Sequence, residues 1–80
     1  MARMTHHMAS IICILHQQGM TRADNFQRTA LAALASAGMV DIVSGHAMLT
    51  WAGADCLAAA ETIMRKWDEK LASQIPNHPW

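Results

Sequence analysis

The stretch from Thr21 to Leu57 constrains the fold more than any other part of the chain. Its alanine-rich run ends at Gly38, a residue suited to the left-handed conformation that closes helices. Two runs of large and β-branched residues follow, Met39–Val43 and Ala47–Trp51, on either side of Ser44-Gly45-His46. The glycine of that turn supplies the positive φ a tight hairpin needs. A second helical pattern begins directly after Leu49-Thr50. The order is helix, strand, turn, strand, helix.

These residues resemble the second half of a winged-helix domain. Leu31, Leu34, Gly38 and Val40 match the "L..L...G.V" that closes the recognition helix. Leu49, Thr50, Gly53 and Leu57 match the "LT..G...L" that leads from the wing into the final helix. The resemblance spans roughly half the chain. It implies an α+β, mostly helical fold: a winged-helix-like domain of three helices and one β-hairpin over residues 1–72, with 73–80 as an extended tail. A standard winged helix has a further short helix before the recognition helix, but here the connection is only Gly19-Met20-Thr21. Either that helix is missing, or Arg22–Phe26 forms a short separate turn in its place.

Ahead of this stretch, Met4, Met8, Ile11, Ile12 and Leu15 lay one apolar stripe along a first helix, with Thr5 as its N-cap and Gly19 as its stop. The second helix is expected to open at Thr21, with Asp24 facing its exposed amides and Phe26, Ala30, Ala33, Leu34 and Ala37 turned inward. In the hairpin, alternation predicts burial of Val40, Ile42 and Leu49. Both strand faces are nonetheless apolar, which is unusual for a wing standing in water. Thr50 should cap a last helix of about 20 residues, or about 30 Å, with Asp55 near its positive end. Leu57, Ala60, Met64, Trp67 and Leu71 form its seam. Both prolines fall in the tail, whose final Trp80 is a candidate for docking.

Composition narrows the function classes. Of 80 residues 52% are hydrophobic and 15% charged, and the net charge is zero, which argues against disorder and against non-specific nucleic-acid binding. Cys13 and Cys56 lie inside apolar helical patterns, as buried reduced thiols do. Met1–Leu15 lacks the features of a signal peptide and no segment reaches membrane-span length, so the expected location is the cytoplasm. Catalysis is not expected: four scattered glycines and six acids give neither a phosphate loop nor a converging nucleophile and base. No cofactor or metal is implied. Cys13 and His16 share a helix face, but two ligands do not make a structural zinc site.

Binding is what remains. Arg22, Asn25, Gln27, Arg28 and Thr29 are the polar residues at the start of the second helix, and Ser44 and His46 lie in the turn. Arg with Asn or Gln can read base edges, and wing residues can reach the backbone; a solvated polar face would look the same. Three Trp and seven Met with so little charge suggest apolar surface held for another protein. Compact neutral winged-helix domains of this kind resemble small accessory proteins of phages and mobile elements, and that resemblance implies two readings: a small DNA-binding transcriptional regulator, or an anti-CRISPR-like inhibitor that contacts a host nuclease or surveillance complex. Met64, Trp67 and Leu71 are the expected homodimer interface on the last helix, because Trp67 and Leu71 continue its seam beyond what the first helix, at about 21 Å, can cover.

Overall fold

The computed structural model describes residues 4–74 as an α+β, mostly helical fold. Helix α1 (His6–Gln18) is followed by strand β1 (Thr21–Arg22), a 3-10 turn (Ala23–Asn25) and helix α2 (Arg28–Ser36). Strands β2 (Val40–Val43) and β3 (His46–Leu49) then lead to α3 (Trp51–Asp55) and α4 (Leu57–Gln74). The sheet is antiparallel with order β1-β3-β2.

Helix α1 follows its expectation closely. The Thr5 hydroxyl accepts from the Met8 amide at 3.3 Å, and Gly19, at φ 74°, donates its amide to the Leu15 carbonyl. Met8, Ile11, Ile12 and Leu15 are buried. With Ala30, Leu31, Leu34, Met39, Val40, Ala47 and Ala60 they form one core, in which Ile12, Leu34 and Val40 are the largest fully buried side chains. Burying each contributes about 1.5–3 kcal/mol.

The second helix differs from expectation. It begins at Arg28, not Thr21, because Thr21 and Arg22 are recruited by β3, opposite Ala47 and His46. The 3-10 turn Ala23–Asn25 is the short separate element in the Arg22–Phe26 segment. Asp24 therefore caps nothing in α2 and instead pairs with Arg22 at 3.1 Å. Starting the helix later also changes its inward set: Leu31 is buried and Ala37 exposed. Gly38, at φ 78°, ends α2 in a Schellman motif, with Met39 N–H on the Leu34 carbonyl and Gly38 N–H on that of Ala35.

The hairpin turns on Ser44 and Gly45 alone, with φ of 53° and 76°, the signature of a type I′ turn. His46 belongs to β3. Val40 is buried and Leu49 half-buried, but Ile42 is 46% exposed, because it lies toward the tip of the edge strand beside a groove that α2 leaves open.

The last helical segment is broken at Cys56. Thr50 caps α3 by accepting from Gly53 N–H at 3.1 Å, and its hydroxyl donates to the Gly38 carbonyl at 2.6 Å. Gly53 is buried against the Met39 carbonyl and Leu49, where a Cβ would overlap both. That approach fixes α3, and α4 then sets off on its own course. Asp55 accordingly sits at the end of α3, not in its first turn. The described residues thus hold four α-helices and three strands in place of three helices and a lone hairpin. Ser73 and Gln74 lie in α4, and the remainder of the expected tail, Trp80 included, falls outside the described residues.

Helix α4 packs antiparallel on α1, the start of one beside the end of the other. Trp67 is half-buried: the His6 ring stacks on it at 3.9 Å with an interplanar angle of 9°. The N-terminal turn of α1 thus reaches further than expected. Met64 is half-buried between the helices, and Leu71 remains 41% exposed. Within the expected dimer seam, only Leu71 stands open.

Candidate functional site

The seven polar residues expected to make contacts converge on one end of the sheet, but not on one face. The Ala23 amide donates to the Gly45 carbonyl at 2.9 Å, which ties the 3-10 turn to the hairpin tip. Arg22, Asn25 and Ser44 therefore come from elements joined at that corner. Gln27 flanks the first turn of α2, and Arg28 and Thr29 lie in it; all three are exposed. Gln27 makes no side-chain cap, and no acid occupies that turn.

Arg28 lines a groove with Ala23, Asp24, Phe26, Leu31, Ala32 and Ile42, between α2 and the hairpin. Arg22 lies elsewhere. The ladder places Thr21 beside buried Ala47, so Arg22 alternates to the opposite face of the sheet with its partner His46. His46 Nδ1 lies 3.1 Å from the Ser44 carbonyl, which can only accept. In that contact Nδ1 is the donor, which leaves Nε2 facing away from the carbonyl.

The electrostatics of this corner are balanced. Arg22 is paired with Asp24, and Arg28 shares a groove with that same carboxylate. A groove between α1 and α4 holds Ser10, Cys13, His16, Glu61, Arg65 and Asp68. Burial, assisted by Glu61, pushes the Cys13 thiol above its ordinary pKa, which disfavours the thiolate a nucleophile needs. Among the described residues no three of His, Cys, Asp and Glu gather as a metal site. Cys13 and Cys56 are free thiols. Groove volumes of about 460, 520, 530 and 400 Å3 differ too little to single one out.

Met20, Val43 and Trp51 are exposed apolar residues that no sequence motif marks. The available signal was the apolar character of both strand faces, which leaves one of them without a core to join.

No known protein family, curated protein or solved structure matches this chain. No described helix is long and apolar enough to cross a membrane.

Proposed function

We propose that this chain is a non-catalytic binding module of winged-helix type, a small DNA-binding regulator that meets the duplex with the start of α2 and the hairpin tip. The observation that carries this reading is the connectivity. A strand follows the first helix and pairs with β3, α2 runs directly into the hairpin, and the sheet order is β1-β3-β2. In this arrangement α2 is the recognition helix and Ser44-Gly45 the tip of the wing. Gln27, Arg28 and Thr29 are hydrogen-bonding side chains at its exposed end, and Asn25 and Ser44 adjoin them. Of these, Arg28 is the one with the fork geometry for guanine.

The neutral corner makes for weak phosphate attraction, so binding should depend on the few contacts of the first α2 turn. A gel shift against duplex pools at low and physiological salt tests this. Bound duplex at low salt is expected, with Arg28→Ala weakening a selected site by about 1–3 kcal/mol while the fold survives. If no duplex binds at low salt, the DNA reading fails.

The second reading is an inhibitor that works by protein contact, of the anti-CRISPR-like kind. It is favoured by Phe26, Leu31 and Ile42 lining the groove that also holds Arg28 and Asp24, an apolar floor flanked by one cation and one anion. Capture of one nuclease or surveillance subunit, lost on Ile42→Asp, would support it.

A further inference from the structure

Three of the five large exposed apolar side chains border the outer face of the sheet: Met20 at 57%, Val43 at 55% and Trp51 at 89%. The ladder fixes how that face is laid out. Arg22, His46 and Val43 form one row across β1, β3 and β2. Met48 and Asp41 belong to the next row. Met20 directly precedes Thr21, so it stands at the β1 edge, one step along the ladder toward the Met48 row, and is exposed. Trp51 shares a groove with Asp41, Leu49, Thr50 and Ala54, just beyond the Asp41 corner. Large apolar side chains left this exposed around one small face mark it as a candidate interaction surface.

We propose that this face pairs with the same face of a second copy of the chain, so that Arg22 of each copy meets Asp41 and Trp51 of the other. The charges select this occupant. The face is roughly 10 Å across three strands and about 7 Å between rows, with Arg22 and Asp41 at opposite corners. A twofold axis along the strands would set Arg22 over Val43 of the other copy, and one across the strands would set it over Met20. Only an axis running close to the Met20–Val43 diagonal, perpendicular to the line from Arg22 to Asp41, exchanges the Arg22 and Asp41 corners. It forms two Arg22–Asp41 pairs, one from each copy, and leaves Met20 and Val43 near their own counterparts.

Strands related in this way cross at a steep angle, an established mode of sheet-on-sheet packing. The contact is isologous, as closed dimers require. Trp51 beside Asp41 offers its ring to the incoming guanidinium as a cation–π partner. Arg22 must exchange its present partner Asp24, but that pair is exposed on both sides and contributes little. Zero net charge removes long-range repulsion between copies. This interface uses none of the α2 residues assigned to DNA, so it stands or falls separately from that assignment.

The test is light scattering and sedimentation of the full chain from low micromolar to near-millimolar concentration, with circular dichroism as the check of fold. A shift from monomer to dimer is expected. Arg22→Asp and Asp41→Arg should each weaken it about tenfold by placing like charges together, and the double reversal should restore it. If either reversal disturbs the fold, Met20→Glu serves in its place, since Met20 lies outside the strand ladder; it too should weaken the dimer. A monomer at every concentration overturns the proposal and leaves the face to a different protein. A dimer indifferent to these substitutions, or a double reversal that restores nothing, overturns it equally.

Discussion

At Gly53 one missing methyl group decides how the hairpin joins the last helices. The Met39 carbonyl lies against its Cα while accepting the Thr50 amide, and the Thr50 hydroxyl bridges Gly38 to the start of α3. Gly53→Ala should therefore cost about 1–3 kcal/mol through overpacking, although alanine is the better helix former. Thermal unfolding will show this, and an unchanged melting temperature would mean that α3 shifts freely. Cys13 gives a pH dependence with a definite sign. Its folded thiol holds its proton to higher pH than the unfolded one, so its contribution is complete below the unfolded pKa and is lost as pH rises through the folded value. Stability should sag above the ordinary thiol range, and Cys13→Ala should flatten that part of the curve. Denaturant midpoints on either side of pH 9 compare the two, and parallel curves would dismiss the effect.

At the scale of elements, legibility in the sequence followed the range of the forces involved. The α1 caps at Thr5 and Gly19, the Gly38 stop and the Thr50 cap all rest on contacts within a few residues, and each was readable. Strand β1 was not, because two residues carry no period and Thr21 and Arg22 become a strand only by pairing with Ala47 and His46. The break at Cys56 escaped for the same reason: no Pro or Gly marks it, and it arises where Gly53 is held against Met39 from another element. The candidate polar residues were readable as types, but their division between two faces depended on that unseen strand. The hairpin turn lies between these cases. Its position was legible, while its two-residue length emerged from the Val43–His46 pairing. Ser44 at φ 53° occupies a site that favours Asn. Ser44→Asn should therefore stabilise the protein by a few tenths to about 1 kcal/mol, seen as a higher denaturant midpoint. A lower midpoint would show that the Ser44 side chain has a role the turn conformation does not explain.

At the scale of the whole molecule, the core is concentrated around the middle of α1, and α4 runs past it. Ala60 is fully buried, Ile63 and Met64 are half-buried, and by Leu71 the helix is open to water. Between these limits Trp67 depends on His6, which stacks on it from the first turn of α1 while the Lys70 ammonium lies 5.8 Å from its ring centre. A single side chain thus extends the α1–α4 contact by about one helical turn. This cover explains why an apolar seam that looked destined for a partner is largely satisfied within the chain. Removing it should separate the two halves of α4 in their dynamics. In His6→Ala, amide hydrogen exchange should quicken from Trp67 onward and remain slow around Ala60, since local opening scales with the buried contacts of each segment. Trp67 emission should shift to the red, followed in a background with Trp51→Phe and Trp80→Phe so that Trp67 is the sole tryptophan. Uniform acceleration along α4 would instead mean that the helix opens as one unit and that His6 supports the whole packing of α1 on α4.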